Sequence, residues 1–196
     1  PDNQRRWWLR HALVSAVRGF SGLSACISKP ASFMILLIEI VSMSVVNQSS
    51  ELLSDFPVVI ELPVQWGDQD ALGHANNVVF FRWLESSRIS YCERIGLLRH
   101  AKSARWGTVL ASIQCDFRRQ LIYPDKVIIG ARATRIGNSS IGIEHRIVGA
   151  SESVVAAEAT STIVMFDFEQ QQSVRVSDEI RTAVQELEHG RDIDGA

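Results

Sequence analysis

The sequence predicts an α+β fold in which a five-stranded antiparallel sheet curls around one long helix. Three observations carry that expectation. Residues 77–95 repeat apolar side chains at helical spacing and are apolar on nearly every side. Residues 109–168 fall into four segments with the two-residue period of strands. The turns between those segments are short, and short hairpins force neighbouring strands to run antiparallel.

Residues 56–65 (FPVVIELPVQ) are rich in Val, Ile and Leu and read as the first strand. Pro57 and Pro63 lack the N–H a central strand must donate, which predicts an edge or a bulge. WGDQDALGHANN follows, polar and glycine-containing, and reads as a loop. Asn76 is placed to cap the helix start by accepting from first-turn amides. From there Phe80, Leu84, Tyr91 and Ile95 recur at three- to four-residue steps, with Arg88 on the same stripe. Val78, Val79, Phe81, Trp83, Ile89 and Cys92 add apolar bulk on the other sides, so the helix is expected to be enclosed. Gly96 supplies a left-handed stop. Next, Val109, Ala111, Ile113, Cys115 and Phe117 alternate with mostly polar residues. A turn at Tyr123-Pro124-Asp125 leads to Val127, Ile129, Ala131 and Ala133. Gly137 to Ser140 turns into Ile141, Ile143, His145 and Ile147, and residues 149–152 turn again. A long last strand, 154–168, is expected to place Ala156, Val164, Phe166 and Phe168 on one face. Residues 178–188 close the domain as an amphipathic helix capped by Ser177, with Ile180, Ala183, Val184 and Leu187 inward.

At 196 residues the chain has room for one domain plus extensions, since domains cluster near about 100–150 residues. Twenty Lys+Arg against 22 Asp+Glu, a net of −2, and 46% hydrophobic residues exclude a disordered or collagen-like chain. Nor is there the basic excess of a nucleic-acid binder. Cys26, Cys92 and Cys115 are scattered, odd in number and free of any CxxC pair. They predict neither a disulfide framework nor a zinc knuckle, and point to a reducing, cytoplasmic setting.

Residues 1–42 stand apart: five basic and two acidic residues give +3, against −5 for the 15 basic and 20 acidic residues that follow. Three readings are open for this N-terminal extension. It is upstream sequence ahead of a true start at Met43, an Arg- and Ser-rich organelle-targeting segment, or a folded accessory element. Its nine-residue apolar run, 33–41, contains Glu39 and falls short of the ~20 residues a membrane-crossing helix needs. The working domain is expected over 55–190, with 43–54 as a polar lead-in.

The block VQWGDQDALGHANNVVFFRWLESSRISYCERIGL resembles the signature of the 4-hydroxybenzoyl-CoA thioesterase family of hotdog-fold acyl-CoA thioesterases. Similarity continues weakly through CDFRRQLIYPDKVIIGARATRIGNSSIGIEHRIV, and residues 55–170 fit that family's order of elements. The chemistry can be built from the residues as well. A helix start offers unpaired N–H groups and the positive end of the macrodipole, suited to a developing oxyanion. A carboxylate just upstream can attack a thioester carbonyl or deprotonate a water. Asp70 lies seven residues before Asn77, and Gly73 lets the loop double back. The resemblance implies those same roles: Asp70 as catalytic carboxylate, the backbone amide of Asn77 as the group polarising the carbonyl.

Other residues of the block carry softer assignments. His74 can orient Asp70, bond the substrate or cap the loop. Asp68 is expected to tie the turn to backbone amides, and Glu85 to pair with Arg82 or Arg88 across one helical turn. Substrate contacts are expected at Gly73, Asn76, Phe80 and Phe81, with Trp83 walling the acyl tail. A basic rim for coenzyme A phosphates is expected from Arg118 and Arg119, with Arg132, Arg135 and the 137–140 turn as further candidates. Asp68, Asp70 and His74 lack a fourth ligand at a sensible spacing, and no GxGxxG or P-loop motif is present, so no metal or other cofactor is expected.

These residues point to an acyl-CoA thioesterase assembled as a homodimer or homotetramer, acting on neither nucleic acid nor membrane. Two rivals remain open. One is a non-catalytic binding module for acyl-CoA or an acyl carrier protein. The other is a hotdog dehydratase using His74 with Asp70.

Overall fold

The computed structural model describes residues 48–100, 105–189, 191 and 193. The chain divides into two units, Pro1–Glu39 and Ile40–Ala196, and every described residue belongs to the second. The extension expected over 1–42 lies outside the described residues.

Strands β1 (Val58–Val64), β2 (Trp106–Phe117), β3 (Asp125–Ile136), β4 (Ser140–Gly149) and β5 (Val154–Asp167) form one antiparallel sheet in the order β1-β3-β4-β5-β2. Helix α1 (Asn77–Arg94) follows β1, the short α2 (Leu97–His100) follows α1, and α3 (Asp178–Leu187) comes last. Proline-bearing β1 is an edge strand, as its missing donors require. Residues 118–124 do not make the expected hairpin: they carry the chain from the β2 edge to β3, which is not its neighbour. A two-residue strand, β6 (Gln172–Ser173), pairs with β5 in addition to the five strands expected.

The curled sheet receives α1 on one face. Alternate residues Val127, Ile129, Ala131 and Ala133 of β3, and Ile141, Ile143, His145 and Ile147 of β4, are at most 2% exposed. Against them α1 buries Phe80, Leu84, Ser87, Arg88, Tyr91 and Cys92, a stripe at three- to four-residue steps. Each fully buried Leu or Ile contributes about 1.5–3 kcal/mol, so this stripe orients the helix. Enclosure is one-sided, contrary to the sequence expectation: Val78 is 67% and Ile89 40% exposed. One sheet covers one side of a cylinder, and it covers the side carrying Leu84 and Tyr91.

Two strands differ from expectation in which face they present. Across β4 and β5, Ile143 pairs with Ser161, His145 with Ala159 and Ile147 with Ala157, so Ala157, Ala159, Ser161 and Ile163 face the helix. Val164, Phe166 and Phe168 do not; opposite Ile147, His145 and Ile143 of β4, β5 supplies the small side chains of Ala157, Ala159 and Ser161. In β2 the register shifts between Leu110 and Ser112. Ile113, Cys115 and Phe117 keep the inward face, while Val109, opposite Val164, is turned outward.

His145 is the polar member of the inward row. Its Nδ1 lies 3.2 Å from Ser87 Oγ on α1 and its Nε2 2.9 Å from Ser161 Oγ on β5, so one imidazole links helix and sheet. Burial, and secondarily the Arg88 guanidinium, push its pKa down to about 3. One turn further along α1, the Tyr91 hydroxyl donates at 2.8 Å to the buried carboxylate of Glu188, which also accepts from Ala133 N at 2.6 Å. Burial first, then the adjacent Glu188 charge, holds the Tyr91 phenol above its ordinary range. This contact fastens the end of α3 to both α1 and β3. Ile180 and Val184 bury the apolar face of α3, behind the Ser177 cap.

The outer face of the sheet is covered by residues 48–56. Leu53 and Phe56 pack with Val148, while Arg132 and Arg146 stack over the Phe56 ring at 4.9 and 5.2 Å. Gly130 is required beneath them: a Cβ there would lie 2.5 Å from Phe56 Cγ. Gly130→Ala is expected to lower stability by about 1–3 kcal/mol through overpacking, measured as a lower urea midpoint.

Acid should weaken the fold through His145. Below about pH 6.5 the unfolded imidazole takes up a proton that the folded site refuses until about pH 3. Stability attributable to this residue is therefore complete above that window and falls as pH drops through it, by about 1.4 kcal/mol per unit of pKa difference. Urea titrations at pH 7, 5 and 4 should show a shallower decline for His145→Gln than for wild type. Parallel declines would reject the assignment.

Candidate active site

Residues 65–76 join β1 to α1 and are fastened at several points. A 3₁₀ turn, Trp66–Asp68, opens the segment. Asp68, 3% exposed, accepts from Gln65 N at 2.8 Å and from the Arg82 guanidinium. Its carbonyl accepts from Asn76 N at 2.9 Å, closing the loop at its neck. Inside the loop, Asp70 N donates to His74 O at 3.0 Å and Gly73 N to Asp70 O at 3.1 Å. Gly73 has φ +84°, a left-handed conformation that glycine adopts without steric cost. Two bonds tie the loop to the segment before β3: Ala75 N donates to Leu121 O at 2.7 Å, and Tyr123 N to Gln69 Oε1 at 3.1 Å.

The loop ends in the expected cap. Asn76 Oδ1 accepts from Val78 N at 3.0 Å. Asn77 occupies the first helical position, where a backbone N–H has no intrahelical acceptor.

Asp70 and Asn77 open into one cleft of about 320 Å³, together with His74 and Ala75. Phe80, Phe117, Arg118, Arg119 and Gln120 form the rest of its wall. Asp70 Oδ1 accepts from Leu72 N at 2.8 Å, while Oδ2 lies 3.8 Å from His74 Nδ1. Oδ2 is thus the carboxylate oxygen without a hydrogen bond among the described residues. The apolar wall is aromatic: Phe80 meets Phe117 edge-on at 5.1 Å, and Phe81 backs Phe117 at 6.4 Å. The two arginines differ. Arg118 lies 3.4 Å from Glu158 and 3.7 Å from Asp116, whereas Arg119 makes no ion pair among the described residues. Neither described cysteine is primed as a nucleophile: burial pushes the thiols of Cys92 and Cys115 up to about 11, so both stay protonated at neutral pH.

A sheet wrapped on one helix is the arrangement shared with known proteins. Residues 64–184 match the Thioesterase-like superfamily.

The chain belongs to that superfamily.

Its resemblance to a solved thioesterase from Thermus thermophilus, complexed with coenzyme A and Zn, is 29% identity over 69% of this chain and 96% of that one, TM-score 0.61. A 1,4-dihydroxy-2-naphthoyl-CoA thioesterase from Synechocystis shares 16% identity over 67% of this chain and 98% of its own, TM-score 0.61, and shows the hotdog fold alone. The uncharacterised protein YsmA of Bacillus subtilis is 30% identical over 92 residues, 47% of this chain. The chain spans 61% of that relative's length.

On this thioesterase-like scaffold the expected site residues divide. Asp70, His74, Asn77, Phe80, Arg118 and Arg119 meet in the cleft. Gly73 shapes the loop, Asn76 caps the helix and Phe81 supports Phe117, none of them lining it. Trp83 is buried beside Phe80, 5.1 Å between rings. Glu85 is exposed and stands 3.9 Å from Arg88, the alternative to Arg82, which pairs with Asp68 instead. Arg132 is not on the rim: the alternation that sends Ala131 and Ala133 inward turns it outward, onto Glu144, Asp55 and Phe56. Arg135, on the same strand, is likewise outside the cleft. The 137–140 turn also lies outside the cleft, with its carbonyls accepting from Arg181, Val176 and Met165. Ala75, within the loop itself, lines the cleft beyond the residues expected to do so, as do Phe117 and Gln120. The one signal of the latter two in the sequence is adjacency to Arg118-Arg119 at the end of an inward-facing strand row.

Proposed function

We propose that the protein is an acyl-CoA thioesterase, releasing a free acid and coenzyme A, with Asp70 as the reacting carboxylate. One observation carries the reading: Asp70 and the first residue of α1 face the same cleft. A thioester carbonyl seated between them would have its oxygen at the Asn77 N–H, where the macrodipole favours negative charge. Its carbon would face Asp70 Oδ2. Two routes fit. In one, Oδ2 takes a proton from water, the hydroxide adds to the carbonyl, and collapse expels the CoA thiolate, which recovers the proton. In the other, Oδ2 itself attacks, the thiolate leaves, and water hydrolyses the resulting anhydride. His74, 3.8 Å from Oδ2, orients that oxygen in either case.

Coenzyme A as the carrier is supported by the Thermus relative, solved with coenzyme A bound. Arg119, without an internal counter-ion among the described residues, is the cation available for a phosphate, and Arg118 is already partnered. Phe80 and Phe117 would hold the acyl group. Membership of the 4-hydroxybenzoyl-CoA thioesterase subfamily is part of the reading, supported by the resemblance of residues 64–97 to its signature.

Assembly into a homodimer or homotetramer is part of the proposal. Strand β2 has one neighbour, exposes Leu110 and Phe117, and ends at the cleft, so a second copy pairing along it would complete the wall. No helix among the described residues is long and apolar enough to cross a membrane. The free thiols of Cys92 and Cys115 are consistent with work in a reducing cytoplasm.

Thiol release from a panel of acyl-CoAs tests the assignment. Asp70→Asn is expected to lower kcat by about 10²–10⁴-fold, the usual worth of a positioned acid or base. Unchanged turnover would remove Asp70 from the mechanism, and loss of water without release of thiol would replace hydrolysis by dehydration. Arg119→Ala should raise KM by about tenfold at low salt, the scale of one charge-assisted hydrogen bond, with kcat nearly constant. That difference should shrink as ionic strength rises. Equal KM values at low salt would assign the phosphates elsewhere.

A further inference from the structure

We propose that Asp68 and Arg82 form a positioning clamp that fixes Asp70 relative to the first amide of α1; the chemistry it serves rests on the thioesterase reading, the clamp itself on geometry. Asp68 is 3% exposed, although it sits in a loop whose neighbours Gln65, Trp66 and Gly67 are all open to solvent. A carboxylate is withdrawn from water at a cost unless donors satisfy it. Here each oxygen has its own: Oδ2 accepts from Gln65 N at 2.8 Å, and Oδ1 accepts from Arg82. Those donors belong to different elements. Gln65 directly follows β1, while Arg82 lies five residues into α1. One side chain therefore joins strand end, loop and helix.

The same residue closes the loop through its main chain, because Asn76 N donates to Asp68 O. Between those two anchors stand only the residues that turn Asp70 into the cleft. Asp70 is two residues beyond Asp68, and Asn77 follows Asn76 directly. Rotation of Asp68 would therefore be passed to Asp70 on one side and, through Asn76, to Asn77 on the other.

Arg82 holds that rotation from outside. Five residues of rise set its Cα about 7.5 Å along the axis from Asn77, and helical side chains lean back toward the N-terminus, which is where Asp68 lies. Its own side chain is 58% exposed. Arg82 approaches Asp68 from the solvent side, so in its absence water can reach Oδ1, and the change should release the loop more than the fold. Displacements of about 1 Å at a reacting group can cost a hundredfold in rate.

The experiment compares Arg82→Ala, Arg82→Lys and Asp68→Asn in the full chain. It reads thiol release from benzoyl-CoA and octanoyl-CoA, amide hydrogen exchange at residues 69–77, and the thermal midpoint. For Arg82→Ala we expect kcat to fall about 10- to 100-fold with KM within about twofold. Exchange at 69–77 should quicken while β3 and β4 stay protected, and Arg82→Lys should recover most of kcat. Asp68→Asn should show the same local loosening. Unchanged kcat in Arg82→Ala, with or without a loosened loop, overturns the clamp, as does exchange that rises equally across the sheet. Wild-type protein that releases no thiol would sink the thioesterase reading instead. The clamp would then stand or fall on exchange alone, with an unaltered 69–77 segment in Arg82→Ala refuting it.

Discussion

A helix start cannot be left unpartnered, and the placement of the whole site follows from that constraint. The first amides of an α-helix have no acceptor within it, so the preceding chain must fold back to supply some. Here Asn76 serves Val78 N, which leaves the Asn77 N–H at the helix tip, beside the cleft that Asn77 lines. The turn that makes this cap possible is the one that carries Asp70. Capping and the proposed chemistry thus share one loop, and its ties to Leu121 and Tyr123 bring the Phe117–Gln120 wall alongside.

Polar groups inside the core do related work on a larger scale. An imidazole bridging Ser87 and Ser161 favours one register of α1 on the sheet, because any slide would strand a buried donor. Glu188 does the same one turn further on, through Tyr91 and Ala133. Between these two points α1 cannot translate without breaking a buried bond. That rigidity is passed to the helix start, where Asn77 sits on the same continuous element. Apolar packing of Leu84 and Tyr91 supplies most of the attraction, and the polar contacts choose among alignments that packing alone would nearly tolerate.

Much of this is legible in the sequence because it depends on local chemistry. Caps at Asn76 and Ser177, the stop at Gly96 and the edge position of proline-bearing β1 each follow from one residue's hydrogen-bonding or φ preference. The alternation of β3 and β4 can be read because neither face competes: Val127 to Ala133 and Ile141 to Ile147 are visibly the apolar rows. In β5 the rule misleads, since Phe166 and Phe168 outweigh Ala157, Ala159 and Ser161 in apolarity, yet it is the smaller set that faces α1. In β2 a single register shift moves Val109 to the other side, and no single residue announces it. The Asp68–Arg82 pair spans 14 positions and replaces a pairing available one turn away, so sequence spacing points to Glu85 instead.

The same contrast between local and distant partners bears on which charges around the cleft are free to act. Spacing alone makes six arginines possible ligands or ion-pair members: Arg82, Arg88, Arg118, Arg119, Arg132 and Arg135. Folding engages most of them. Arg132 is drawn to Glu144 and the Phe56 ring, Arg118 to Glu158 and Asp116, Arg82 to Asp68, and Arg88 is buried beneath the helix. An engaged guanidinium has part of its charge already offset by its partner, so it attracts an incoming anion less strongly. Arg119 has no such partner to surrender among the described residues and stands at the cleft wall. A count of basic residues therefore overstates the attraction a site can exert. What matters is the cation whose neutralising partner the fold has not already supplied.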